Sequence, residues 1–440
     1  MFIDSITGLS YKPIRMKKRI LLLIITCFSL ITLQAAYILL PMDVKQKDHL
    51  KAYGITYLVL QKEIEAHWLL NYRGGSFAFP HRLEFEKECK TRGVTYEVLS
   101  DAQFKGIQIE IQNPQVNMED MKLEVAPKIA VYTPDADTKG KGLEKWNDAV
   151  LVVLKYAEIP FDMLYDQEVL EGKLINYNWL HLHHEDFTGQ HGRFTMWRGD
   201  PKEYEARKLK AEILARSFGF AKVSQCKLAV AKKIKEFVVG GAFMFAMCSA
   251  TESFDVALAA ERMDICASIF DGDEADSDLQ AQLDFSKTFA FQDFQINTNT
   301  SGMDFSTIDN SMRRNRNINF DYFTLFDFSA KWDPVPTMLT QNHTKTIKGF
   351  MGQTTSFKKA CLKPAVLNLG ETKPFGESRY IHGVVGQGFF SFYGGHDPED
   401  YQHRHTDPDT DLALHPNSPG YRLILNNILF PAAKKKKRKT

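Results

Sequence analysis

Residues 229–255 constrain the fold of this chain more than any other stretch. They run as an amphipathic helix (229–239), the pair Gly240 and Gly241, an apolar strand (243–247), Cys248, and a polar start to another helix at Ser249. A strand entered from one helix and left at once for another belongs in a parallel sheet covered on both faces. The local layout is that of a nucleophile elbow, a sharp strand-to-helix turn that lifts one side chain out of the sheet. The following helix N-terminus favours a thiolate and offers unpaired N–H groups to an oxyanion.

The same alternation continues on both sides. Strands are expected at 128–132, 161–165 and 179–183, with helices at 146–157 and 168–174, and a final strand at 388–393. The expectation is an α/β domain over residues 127–430, with ligands bound beyond the carboxyl ends of the strands. Residues 37–126 form a smaller α/β lobe with strands at 66–72 and 95–99 around a charged helix at 83–92. Residues 271–330 break the pattern, from the acidic run at Asp271, Asp273, Glu274 and Asp276 to the basic knot at Arg313, Arg314 and Arg316. They read as an irregular insertion. No repeat of solenoid length is present.

The chain has 440 residues, 44% of them hydrophobic, enough for two or three domains with a buried core. A net charge of +1 gives no global attraction to nucleic acid, and none is expected as a partner. Residues 1–36 read as a signal peptide: Lys17, Lys18 and Arg19 precede an apolar run at 20–33, and Ala35 and Ala36 supply a cleavage site. Met16 stands directly before the basic triplet and offers a second start. The expectation is export to a periplasmic or extracellular space. Membrane contact, as an anchor, follows only if the segment stays uncleaved. Cleavage leaves Cys89, Cys226, Cys248, Cys266 and Cys361, an odd number, so at least one thiol stays free or pairs outside the chain. Residues 431–440 form a basic tail, read as a solvated terminus.

A thiol nucleophile needs a base, and the base needs an orienting group. The strand at 388–393 runs into Gly394, Gly395, His396, Asp397 and Glu399. The expected roles are Cys248 as nucleophile, His396 as base, Glu399 or Asp397 as orienter, and the Ser249 N–H as oxyanion donor. A second constellation is His181, His183, His184, Glu185 and Asp186. On a strand, positions 181 and 183 share a face, so they can line the pocket or bind one metal, with His396 or His343 completing the set. The plainer readings are a buried core cysteine, a turn histidine, and hydrogen-bonded histidines lining a cleft.

These residues carry a resemblance. An elbow cysteine followed later by a strand ending in a histidine with a nearby acid is similar to class I glutamine amidotransferase-like domains, over roughly residues 127–402. Three stretches, Trp179 to Gln190, Phe245 to Thr251 and Phe392 to Tyr401, resemble an exported bacteroidete-type family often labelled asparagine synthetase B. The elbow has Met247, Ser249 and Ala250 where amidotransferases usually have glycines. The resemblance implies a flavodoxin-like parallel sheet with helices on both faces, a Cys/His/acid triad, and hydrolysis of a glutamine-like amide.

The expected function is therefore an exported cysteine-dependent hydrolase, or amidase, acting on a small-molecule or peptide amide or ester. No cofactor is expected for it, and no oligomeric state is indicated. Two alternatives remain open: a non-catalytic binding or envelope-assembly protein on the same fold, and a hydrolase using a divalent metal held by His181, His183 and His396.

Overall fold

The computed structural model describes residues 36–133, 148–191, 193, 201–310, 317–333, 344–403 and 407–433. The expected signal segment before residue 36, the arginine knot, His343 and the basic tail from residue 434 lie outside the described residues.

The N-terminal lobe contains β1 (Tyr37–Leu40), α1 (His49–Gln61), β2 (Ala66–Leu70), β3 (Ser76–Pro80), α2 (Leu83–Arg92), β4 (Glu97–Leu99), α3 (Asp101–Gln112) and β5 (Glu119–Leu123). Its strands form a sheet in the order β4-β1-β3-β2-β5, antiparallel at every pairing. Helix α3 starts at a capping box, in which Ser100 N–H donates to Gln103 Oε1 at 2.8 Å and Gln103 N–H returns to Ser100 Oγ.

The second sheet starts with β6 (Ile129–Tyr132), α4 (Ala149–Tyr156), β7 (Asp162–Leu164), α5 (Asp166–Leu170) and β8 (Trp179–Leu182). It continues through α6 (Pro201–Ser217), α7 (Val223–Val239), β9 (Phe243–Met247), α8 (Ala250–Ala259) and α9 (Ser268–Asp271). The last elements are β10 (Tyr322–Leu325), β11 (Thr346–Lys348), β12 (Phe357–Lys358), β13 (Leu367–Thr372), β14 (Glu377–Val385), β15 (Gly388–Tyr393) and α10 (Pro419–Leu429). The sheet order is β11-β10-β13-β14-β15-β9-β8-β6-β7, with β12 paired to β14.

The fold is thus mixed α/β, and the sheet has two halves. Strands β7, β6, β8, β9 and β15 are parallel to their neighbours, as the helix-strand alternation requires. From β15 outward through β14, β13, β10 and β11 the pairing is antiparallel, which departs from the expected all-parallel sheet. The reason is connection length: Gly386 and Gln387 alone join β14 to β15, and a parallel crossover needs a dozen or more residues. Strand β10 lies inside the stretch expected to be an irregular insertion, so the end of that stretch extends the sheet.

The apolar run of β9 is buried on both sides. Phe243, Phe245 and Met247 enter the core shared with the N-terminal lobe, while Met244 and Ala246 pack with Val230, Ile234 and Val238 of α7. Helix α10 ties the lobe to the second sheet: Trp179 Nε1 donates to Asn427 O at 3.0 Å, and Tyr53 OH to Asn426 Oδ1 at 2.5 Å. On the opposite face, the buried Asp255 carboxylate accepts N–H bonds from Phe289, Ala290 and Phe291 at 2.7–2.9 Å, pinning residues 289–291 to α8. No helix among the described residues is long and apolar enough to cross a membrane.

His382 is sealed among Phe243, Phe389 and Phe430, with Nδ1 2.9 Å from Ser391 Oγ, and burial pushes its pKa down to about 3. A histidine held neutral when folded costs stability once the unfolded chain begins to protonate. Stability is therefore expected to fall as pH drops below about 6.5 and to keep falling toward the folded value. His382→Leu should flatten that part of a melting-temperature profile, and an unchanged slope would assign the acid sensitivity to other groups.

Candidate functional site

Three neighbouring strands of the parallel half, β8, β9 and β15, deliver the candidate residues at their carboxyl ends. Cys248 follows β9 with φ of +52°, the left-handed region that a non-glycine residue occupies only at a cost. Its N–H donates to Gly395 O at 3.1 Å, which ties the elbow to the turn after β15. That turn requires glycine: Gly395 has φ of +107°, and a Cβ there would lie 2.4 Å from the Phe350 ring.

The Cys248 sulfur accepts an N–H bond from Gln353 at 3.3 Å, and the N–H groups of Ser249 and Thr354 also face it. Burial outweighs these donors and pushes the thiol up to about 11, so it rests as a neutral S–H. The expected helix-stabilised thiolate is therefore not the resting form. One ring nitrogen from each of His183, His184 and His396 lies, with this sulfur, in a group whose members are all within 4.8 Å of one another.

Behind the thiol runs a chain of close polar contacts, a hydrogen bond between the two histidines and an ion-pair contact to an acid. His396 Nδ1 is 2.7 Å from His183 Nε2, and His183 Nδ1 is 3.1 Å from Asp148 Oδ1. The Asp148 carboxylate also meets His181 Nε2 at 3.0 Å and caps α4 through Val150 N–H at 2.7 Å. Burial would raise the Asp148 pKa, but His181 and His183 hold it well below the usual carboxylate range. Burial lowers the pKa of His183 and lowers that of His184 strongly, so both are neutral bases. An ionised Asp148 3.1 Å from Nδ1 favours the His183 proton on that nitrogen; Nε2 then accepts from His396 Nδ1–H, and the His396 lone pair falls on Nε2.

The structure brings Cys248, His396, His183 and His184 together and redistributes the other expected residues. Glu399 does not orient His396; its Oε2 lies 3.4 Å from His415 Nδ1. Nor does Asp397, whose carboxylate accepts from Glu399 N–H, Thr410 Oγ1 and Tyr421 OH and so braces the turn. His181 is fully buried beneath the cluster, with Nδ1 3.0 Å from Phe245 O, and it groups with His183 and Asp148 rather than with His396. Asp186 folds back on Thr188 N–H at 2.8 Å. Glu185 is buried near Lys227 and Asp166, its pKa raised strongly by desolvation. Ser249 keeps its expected place, its N–H beside the sulfur and its Oγ buried without a hydrogen-bond partner among the described residues.

Asp148, Gln353 and Thr354 also belong to the site and are not among the residues expected from the sequence. Asp148 had a signal, an N-cap residue directly before the apolar run of α4, but the helix was expected to start earlier. Gln353 and Thr354 carry no local signal; they reach Cys248 only because the loop before β12 folds over the elbow. His403 packs against His396 in a tilted pair, with ring centroids 4.6 Å apart, and was likewise unmarked.

No protein-family model matches the chain, and neither does any curated protein. Among solved structures, it is similar to Cytoplasmic Protein STM3548 from Salmonella typhimurium, with 9% identity, a TM-score of 0.33, and 70% of this chain and 100% of that one covered. It is also similar to Cytoplasmic Protein STM1381 from Salmonella typhimurium LT2, with 11% identity, a TM-score of 0.34 and the same coverage. Likenesses this slight carry no argument about fold or function.

Proposed function

We propose that the protein is a cysteine-dependent hydrolase acting on an amide or ester carbonyl, built on a flavodoxin-like domain similar to those of class I glutamine amidotransferases. The parallel strand order β7-β6-β8-β9-β15 corresponds in chain order to 2-1-3-4-5, the flavodoxin-like arrangement, which supports that reading. The observation that carries it is Cys248, held at φ of +52° at the end of β9 in one cluster with the His396 ring, behind which an acid is already in line. Export, expected from residues 17–36, belongs to the same proposal.

In this mechanism His396 Nε2 takes the Cys248 proton as sulfur bonds to the carbonyl carbon. His183 and Asp148 stabilise the imidazolium that forms. The carbonyl oxygen, now anionic, takes N–H bonds from the Ser249 and Gln353 backbone. The carbon–nitrogen bond then breaks as His396 returns its proton to the leaving amine. Water, deprotonated by the same ring, hydrolyses the thioester and restores the S–H.

The direct test is iodoacetamide labelling of each cysteine against pH, read by peptide mass spectrometry. All five described cysteines are free and buried, so Cys89, Cys226, Cys266 and Cys361 are internal controls. Cys248 is expected to label fastest at pH 7 and to slow by at least about tenfold in His396→Ala. Labelling of Cys248 at the rate of the other four, or indifferent to His396, would overturn the reading.

A further inference from the structure

We infer that His183, His184, Cys248 and His396 form a binding site for one zinc-class divalent cation, and that metal capture masks the thiol. The inference stands apart from the hydrolase reading, because a sulfur bonded to metal is no nucleophile.

Three observations point to it. The first is the donor set: three imidazole nitrogens and one sulfur, all within 4.8 Å of one another. Around tetrahedral zinc, with bonds of about 2.0–2.3 Å, ligand atoms sit roughly 3.3–3.8 Å apart, so small rotations of the rings close the site. Imidazole with thiolate selects zinc-like ions over calcium or magnesium, which prefer oxygen.

The second is the contact between His183 Nε2 and His396 Nδ1 at 2.7 Å, the length of a hydrogen bond between two nitrogens aimed at each other. A cation on the Cys248 side exchanges that bond for two metal–nitrogen bonds as the His396 proton moves from Nδ1 to Nε2. The metal–sulfur bond forms as the S–H bond breaks, and its proton passes to solvent.

The third is the support behind the ligands. His183 turns Nδ1 to Asp148 at 3.1 Å, which fixes Nε2 as the inward-facing donor, the carboxylate–histidine arrangement found behind metal ligands. Asp148 is itself held by His181 and by the start of α4. Four elements thus place the donors before any ion arrives, and Cys248 is only 2% exposed, so a bound ion would be shielded from competing water.

The test uses full-length protein without a histidine tag, stripped of metal and titrated with Zn²⁺ or Co²⁺. We expect one equivalent bound, a sulfur-to-cobalt charge-transfer band that Cys248→Ser lacks, and protection of Cys248 from iodoacetamide by zinc. His184→Ala is expected to weaken binding by at least about tenfold, and Asp148→Asn by roughly 10–100-fold. Thermal unfolding of the metal-free variants checks that each is folded. Absence of stoichiometric binding, or an unchanged cobalt spectrum in folded Cys248→Ser, overturns the inference. The two readings fail separately. Zinc binding without His396-dependent labelling of the stripped protein leaves the metal site and removes the hydrolase, and the reverse pattern does the opposite.

Discussion

Cys248→Ala is expected to lower turnover of amide and ester probes, such as a γ-glutamyl anilide and a nitrophenyl ester, by roughly three orders of magnitude or more, because the reacting atom is gone. A structural reading of the same cysteine expects activity within a fewfold of wild type. The backbone offers a second readout. At φ of +52°, any residue with a Cβ carries a left-handed penalty, so Cys248→Gly should be more stable than Cys248→Ala by about 1 kcal/mol. That reverses the usual order of the two residues. An alanine variant at least as stable as the glycine one would mean that the elbow is not held in the left-handed region in solution.

Asp148→Asn separates positioning from folding. Asparagine caps a helix as well as aspartate does, so α4 should persist, but the amide cannot carry the charge that faces His181 and His183. The Cys248 labelling rate and probe turnover are expected to fall by roughly 10²–10⁴-fold, the scale seen when a triad acid is neutralised. The effect should lie in kcat rather than KM, since Asp148 acts through two histidines and does not reach the substrate. A second signature is acid stability. The Asp148 pKa is depressed in the folded state, so its contribution is complete above the unfolded value of about 3.9 and is lost as pH falls toward the folded one. The variant should lack that part of the acid limb of a melting profile. Unchanged reactivity would place the orienting group elsewhere.

Much of the parallel half was legible because its strands carry short-range signals. Phe243–Met247 and Gly388–Tyr393 were expected at the bounds observed, since both are apolar or aromatic runs closed by glycines. The antiparallel half was hidden. Strand β10 alternates exposed and buried residues within a polar, asparagine-rich stretch, and its partners β11 and β13 come later in the chain. Period-two patterning over four residues is too short to stand out from a loop.

The site divides in the same way. Cys248, Ser249 and His396 could be singled out because each directly follows a strong strand or glycine turn, and the carboxyl end of a parallel strand is where α/β folds place chemistry. The acid partner could not. Glu399 and Asp397 are nearer to His396 in sequence, yet Asp397 is consumed by Thr410 and Tyr421, and Glu399 by His415. The acid in line comes from Asp148, about 250 residues earlier, because β6 and β8 are neighbours in the sheet and bring the start of α4 over the end of β8.

By itself, the sequence determined the local chemistry: which strands are buried on both faces, which turn carries a cysteine, and which strand ends in a histidine. Those properties arise from neighbours along the chain, whose side-chain periodicity and backbone preferences act within a few residues. The tertiary structure alone decided the protonation of the thiol, the partner of each histidine and the identity of the acid. Desolvation and hydrogen bonding depend on every element packed around a group, and those elements come together only once the sheet has formed.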